Sequence, residues 1–251
     1  LAARGVPWPA PIEHHAALAS TSDRLKARAR EGAPPWSVVV ADRQSAGRGR
    51  LGRSWESPSG NLFVSVLLPP LPAEQVTALP LAAGLAVAEA LDGLGVTPQL
   101  KWPNDVMIGG RKLGGILAEG LSGGAGLEAV VLGIGLNVRV VPPTLPPGVA
   151  VTSLWAETGR DEDLVALLAS VLACVWAWYD RLAAHGSAVV VSAWRTRCLP
   201  WWGRVVEARS GEELLRGIAL DVDERGALLL AREDGSHVAV LSGEVQELRA
   251  R

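Results

Sequence analysis

The stretch DRQSAGRGRLGRSWESPSGN, residues 42–61, lies between two apolar runs, WSVVVA (36–41) and LFVSVLL (62–68). It sets Arg48, Arg50 and Arg53 among Gly47, Gly49, Gly52 and Gly60. Glycine lets backbone N–H groups approach an anion closely, and guanidinium forks add charge and paired donors that a carboxylate or phosphoryl group accepts. By itself GRGR fits a solvated basic loop or a disordered RGG-type tail equally well. An RGG tail repeats within low-complexity sequence, whereas this run occurs once, deep inside an apolar chain. The flanking runs are short and β-branched, so the pattern predicts two buried strands joined by an anion-binding loop.

The chain has 251 residues, 49% hydrophobic and 20% charged, which suits one large globular domain or a domain with a small module. Twenty-four basic against 26 acidic side chains give a net charge of -2, so no global field draws it to nucleic acid or anionic lipid. Two cysteines, Cys174 and Cys198, and four scattered histidines build neither a disulfide framework nor a zinc site. Residues 79–91 are apolar but too short to span a membrane, and no targeting segment is apparent. These features point to a cytoplasmic protein without a membrane partner.

Outward from the loop, Ser20, Thr21 and Ser22 precede a surface helix that Gly32 stops. Residues 73–94 read as helix, Pro80 marking a break or a new first turn, with Leu81, Leu85, Ala88 and Leu91 as a stripe toward the sheet. In KWPNDVMIGGRKLGGILAEG (101–120), Gly109 and Gly110 signal a two-residue hairpin. Residues 127–137 read as a strand after a turn at 122–126, 141–148 as a Pro-rich loop, and 161–184 and 187–198 as helices. Beyond Pro200 four short strands (205–208, 214–218, 227–230 and 237–241) suggest a small β-barrel. The ten tryptophans read as core and interface anchors.

Lys112 is followed by Gly114 and Gly115 inside a strand, where glycine marks the close approach of a ligand or a backbone; a solvent-facing lysine is the alternative. Asn104 and Asp105 either form the turn before the hairpin or enter a site. The amide of Asn137, at the end of an apolar strand, can serve a metal or phosphate or cap the next loop. Residues 20–22, the arginine loop, 101–115 and 133–137 all fall at strand ends or hairpins, and together they describe one site.

DRQSAGRGRLGRSW, KWPNDVMIGGRKLGGILAE and GIGLN, in that order, closely resemble the catalytic domain of biotin protein ligases. GALLL (226–230) and SGEV (242–245) resemble that family's C-terminal SH3-like module. The resemblance implies an α+β fold: a mixed β-sheet catalytic domain flanked by helices, class II synthetase-like and shared with lipoate ligases, over residues 1–200, and an SH3-like β-barrel over 201–251. It implies ATP and biotin as substrates with Mg2+, a biotinyl-5'-AMP intermediate, and transfer to a lysine of a biotin carboxyl carrier protein such as that of acetyl-CoA carboxylase.

By the family's pattern, Ser20, Thr21, Ser22 and Gln44 hold biotin's head group and Gly115 floors its pocket. Gly47, Arg48, Gly49 and Arg50 fold over biotin and the adenylate phosphate, and Lys112 reaches carboxyl and phosphate, so Lys112, Arg48 and Arg50 are the catalytic candidates. Arg50, Arg53, Trp55, Asn104 and Asn137 fall to the nucleotide, Asn137 also to Mg2+. Ser22 stands where the family commonly has Asn, and Leu51 where some members have a basic residue. Fewer than twenty residues precede Ser20, too few for the DNA-binding domain of bifunctional members, so a monofunctional ligase without DNA as partner is expected, monomer or homodimer. The rival readings are a lipoate or octanoate ligase or transferase of the same fold, and a nucleic-acid-binding protein using GRGRLGR on phosphates.

Overall fold

The computed structural model describes residues 8–124, 126–143, 149–210, 213–241 and 243–247. Seven strands form one sheet: β1 (Ile12–His15), β2 (Val38–Ala41), β3 (Leu62–Leu68), β4 (Gln99–Lys101), β5 (Asp105–Ile108), β6 (Arg111–Gly123) and β7 (Gly126–Leu136). Their order is β1-β2-β3-β7-β6-β5-β4. The β1–β2 pair is parallel and the others antiparallel, so the sheet is mixed as expected.

Strand alternation divides the two faces. Leu62, Val64, Val66 and Leu68 enter the main core. Leu67 faces the other way and joins Val39, Val131 and Leu25 in a second core under α1 (Thr21–Arg30). Ser65 shares that second face, and it is there that the polar motifs converge.

The main core is closed by helices. The expected 73–94 helix divides into α2 (Ala73–Val76) and α3 (Leu79–Asp92), with Pro80 in the first turn of α3. Instead of one apolar stripe, α3 is buried almost all round, because it lies against the sheet, α5 (Leu164–His185) and α6 (Ser187–Arg195). Helix α5 is long and apolar enough to cross a bilayer by length and composition, and it packs Leu167, Val171, Leu172, Val175 and Leu182 into this core. Its cap is Asp163, whose carboxylate accepts from the N–H groups of Val165 and Ala166, so the helix starts later than residue 161.

Several elements escaped the sequence reading: strand β1, IEHH, is a half-exposed edge with no apolar alternation, β4 has three residues, α4 (Leu154–Thr158) is a single turn and a half capped by Ser153, and a fifth C-terminal strand spans Glu244–Glu247.

The C-terminal strands β8 (Val205–Ser210), β9 (Glu213–Val222), β10 (Leu228–Ala231), β11 (His237–Val240) and β12 (Glu244–Glu247) form an antiparallel sheet ordered β11-β10-β9-β8-β12. The expected barrel is thus a five-stranded SH3-like sheet. Its end strands β11 and β12, four residues each, do not pair with one another among the described residues. This module is seated through polar contacts: Trp102 Nε1 donates to the Gly226 carbonyl at 2.9 Å, and Arg195 donates to the Asp221 carboxylate Oδ1 at 2.8 Å and the Val222 carbonyl at 2.6 Å. Gly226 has φ 88°, a conformation that favours glycine, and a Cβ there would lie 3.1 Å from Leu81 Cδ1, which would have to shift by a few tenths of an ångström. Residues 144–148 of the Pro-rich loop, Ala125 of the 122–126 turn and Ser242 of SGEV lie outside the described residues.

Candidate active site

The site lies on the α1 side of the sheet, where neighbouring strands become small. Gly115 of β6 pairs with Gly135 of β7, and Leu117 with Gly133, which in turn faces Ser65 of β3. A Cβ on Gly133 would be 2.8 Å from Ser22 Oγ, one on Gly135 2.6 Å from Trp55 Nε1, and one on Gly115 3.1 Å from Trp55 Cζ3. The glycines therefore form a floor on which Ser22 and Trp55 rest directly.

At the N-terminus of α1, Ser20, Thr21 and Ser22 are all buried. Ser20 is the cap, its Oγ accepting from Asp23 N at 3.3 Å. Thr21 gives both its N–H (2.8 Å) and its hydroxyl (3.1 Å) to Gln44 Oε1. Ser65 Oγ donates to Thr21 Oγ1 at 2.8 Å, so its hydrogen is committed and the 3.0 Å contact to Ser22 Oγ is donated by Ser22. On the far side, Gln44 Nε2 donates to Ser57 Oγ at 2.9 Å, which donates to the Trp55 carbonyl at 2.9 Å. The result is a one-way chain from Ser22 through Ser65 and Thr21 to Gln44. Lone pairs on Ser22, the Ser20 hydroxyl hydrogen and the second amide hydrogen of Gln44 remain to meet a polar ligand.

The arginine loop folds back over this floor. Gly49 N donates to Arg53 O at 2.7 Å around a turn in which Leu51 takes φ 55° and Gly52 φ 73°. Gly47 passes so close to Trp55 that a Cβ would be 2.4 Å from its carbonyl oxygen, and Trp55 N donates to Gly47 O at 2.8 Å. The fork of Arg48 grips Glu119 at 2.9 and 2.6 Å and reaches Asp23 at 2.8 Å. Glu119 also accepts from Lys26 at 2.6 Å. Arg50 Nη1 donates to the Gly243 carbonyl at 3.1 Å and lies 3.4 Å from Asn104 Oδ1, so the C-terminal module touches the loop. Lys112 Nζ stands 2.5 Å from Asp105 Oδ1 and 5.4 Å above the Trp55 ring. Arg53 ends the turn on an exposed stretch.

Between loop and sheet lies a cavity of about 180 Å³, lined by Arg48 to Arg53, Leu117 and Glu119. A more open hollow of about 390 Å³ runs along Ala17, Leu18, Ala19, Arg43, Gln44 and Ser45; of the candidate site residues it holds Gln44, whereas the smaller cavity is lined by Arg48, Gly49, Arg50 and Arg53.

Four buried side-chain polar atoms among the described residues have no protein partner: Arg48 Nε, Trp55 Nε1, Asn137 Oδ1 and Gln75 Oε1. Such atoms are rare in folded proteins, and three of these four belong to residues marked out by the sequence motifs. Asn137 is fully buried, and its Nδ2 donates to the Thr152 carbonyl at 3.1 Å. No group of three or more His, Cys, Asp or Glu side chains exists among the described residues. Asn137 Oδ1 is a buried oxygen with no protein partner, a donor that fits a Mg2+ held mainly by nucleotide phosphates and waters.

All the sequence candidates thus fall around one floor and one loop, or, for Asn137, just beyond the floor at the end of β7. Glu119, Ser57 and Ser65 were missed as partners, and Asp105 was left between turn and site. Ser65 is the one polar residue of an otherwise apolar strand, the local signal that marks it, whereas Glu119 shares β6 with Arg111, Lys112 and Ser122 and carries no such signal.

Comparison with known proteins assigns the class. Residues 16–137 match the Biotin/lipoate A/B protein ligase family, and residues 202–246 match the Biotin protein ligase C terminal domain. The bifunctional ligase/repressor BirA of Bacillus subtilis is 34% identical over 227 residues, 88% of this chain and 70% of that protein. A biotin-[acetyl-CoA-carboxylase] ligase of Paracoccus denitrificans is 37% identical over 215 residues, 80% of this chain and 86% of its own length. The structure of biotin protein ligase from Aquifex aeolicus in complex with biotin and ATP superposes with a TM-score of 0.80 at 32% identity, covering 95% of this chain and 99% of that one. The chain belongs to the biotin protein ligase family.

Proposed function

We propose that this chain is an ATP-dependent, AMP-forming ligase that makes biotinyl-5'-AMP and passes the biotinyl group to a lysine of a biotin carboxyl carrier protein, that of acetyl-CoA carboxylase. The observation that carries the site assignment is the set of unpartnered buried atoms on Arg48, Trp55 and Asn137 around a glycine floor. The name of the Paracoccus denitrificans relative and the ligands of the Aquifex aeolicus structure support the same chemistry. The match to a biotin ligase C-terminal domain favours biotin over lipoate, which the first family also includes.

In the first step a biotin carboxylate oxygen attacks the α-phosphorus of ATP and pyrophosphate leaves. Two anions must meet, so positive charge has to be aimed where phosphoryl charge develops; Lys112 and Arg50 supply it, and losing one such donor costs roughly a hundred- to a thousandfold in rate. A bound Mg2+, with Asn137 Oδ1 as one ligand, would neutralise phosphate charge. The leftover lone pairs of Ser22, with the Ser20 hydroxyl and the Gln44 amide, suit a ureido head group, which both donates and accepts. In the second step the carrier's lysine amine attacks the acyl carbon, the acyl–oxygen bond breaks with AMP leaving, and the amine loses a proton. The mixed anhydride survives only if water is excluded, which the loop over the cavity provides. Residues 1–200 carry the site and 201–251 form the accessory module.

The test is incubation with ATP, Mg2+ and either biotin or lipoate, following pyrophosphate release and the mass of a biotin carrier domain. A carrier that gains the biotinyl mass supports the reading. Lipoate turnover without a biotinylated carrier refutes it.

A further inference from the structure

Lys112 should not face the site at all on the alternation of its own strand. In β6 Gly115 and Lys112 are three residues apart, which places their side chains on opposite faces of a regular strand. The β5–β6 ladder pairs Asp105 with Gly115 and Val106 with Gly114, then slips so that Met107 pairs with Lys112. Leu113 is the extra residue of a bulge, and it points into the main core. One inserted residue returns Lys112 to the face of Gly115, Met107 and Asp105. There Asp105 Oδ1 meets Lys112 Nζ at 2.5 Å, with the two side chains only 17% and 21% exposed.

We propose that Asp105 is the positioning residue for Lys112 in the adenylation step, an inference that rests on the ligase reading. A lysine ammonium on a four-carbon stem is mobile, and a fixed hydrogen-bond acceptor beside it restricts where it points. Among the described residues Asp105 is its one ion-pair partner; the Trp55 ring flanks it, and Gly115 leaves room for its Cε, 3.6 Å from a built Cβ. The ammonium has three hydrogens. Asp105 takes one, which fixes the direction of the other two toward the biotin carboxylate and the α-phosphate. Asp105 touches neither substrate and acts only through Lys112.

The test is a double-mutant cycle on the full chain, with Asp105→Ala and Lys112→Ala alone and together, read as single-turnover pyrophosphate release with biotin, ATP and Mg2+. Misaiming a reacting group costs roughly a hundredfold, so Asp105→Ala is expected to lower kcat roughly thirty- to a hundredfold while KM for biotin and ATP stays within about threefold. In the Lys112→Ala background the same substitution is expected to cost nothing further. Asp105→Asn, which keeps an acceptor oxygen, should fall between and guards against a folding defect in the alanine variant. Multiplicative losses in the cycle, or a change confined to KM or thermal stability, would overturn the positioning role. If the wild type releases no pyrophosphate with biotin, the ligase reading itself has failed.

Discussion

Gly135 lies directly beneath Trp55: a Cβ on the glycine would sit 2.6 Å from the indole Nε1. The three atoms nearest such a Cβ all belong to that one side chain. Gly135→Ala should therefore lift the indole off the floor, weaken biotin or ATP binding roughly tenfold, and leave the melting temperature nearly unchanged. Gly114→Ala is the contrast, since its Cβ would be 2.8 Å from the Gly135 carbonyl and 2.4 Å from Leu136 Cδ2. There a loss of about 1–3 kcal/mol in stability is expected. Calorimetric titration beside thermal melts separates the two; equal melting shifts would count against the floor.

Thr21 is the joint of the hydroxyl chain, accepting from Ser65 and donating to Gln44. Thr21→Val keeps the shape and the residue 21 N–H to Gln44 Oε1, but strands the buried Ser65 hydroxyl donor, about 1–3 kcal/mol. Biotin affinity should fall with stability, because the hydroxyl link from Ser22 through Ser65 to Gln44 is broken. A denaturant titration with a biotin-binding isotherm checks both.

Glu119 holds the arginine loop to β6 through both its oxygens. Glu119→Gln replaces a charged acceptor pair by one carbonyl oxygen, and half-exposed pairs of this kind are worth about 1 kcal/mol. The loop should open about fivefold more often, seen as faster tryptic cleavage after Arg48, Arg50 or Arg53. An unchanged cleavage rate would mean that Glu119 does not hold the loop.

Asp223 holds the β9–β10 turn that carries Gly226. Burial pushes its carboxyl up, but hydrogen bonds from the Ala227 N–H and from the Arg225 side chain and N–H outweigh this and hold it below the usual aspartate range. A carboxyl depressed in the folded state stabilises it fully above the unfolded value and loses that contribution as pH falls through the folded one. Asp223→Asn should lower the melting temperature by about 2–4 °C near neutral pH. The gap from wild type should close on acidification below the ordinary aspartate range; a gap constant with pH would sink the assignment.

Much of the fold was legible in local patterns. Alternation in LFVSVLL gave β3 its two faces, Gly109 and Gly110 gave the β5–β6 hairpin with φ 54° and 75°, and Pro80 marked the start of α3. The motifs also named the residues that meet at the site. Edge strand β1 and three-residue β4 were silent, because too few side chains of each are buried to leave a period.

What the sequence determined by itself, then, was which residues are small, charged or hydroxylated, and in what order along the chain; conformational preference and burial act residue by residue, so they can be read there. Tertiary structure alone decided three things. The slip at Leu113 turned Lys112 onto the site face beside Asp105. The fold of the arginine loop back over β6 brought Glu119 to Arg48 across 71 residues of chain. The register of β7 slid Gly135 under Trp55. Each depends on how one strand registers against another, and a shift of a single residue would reverse the faces.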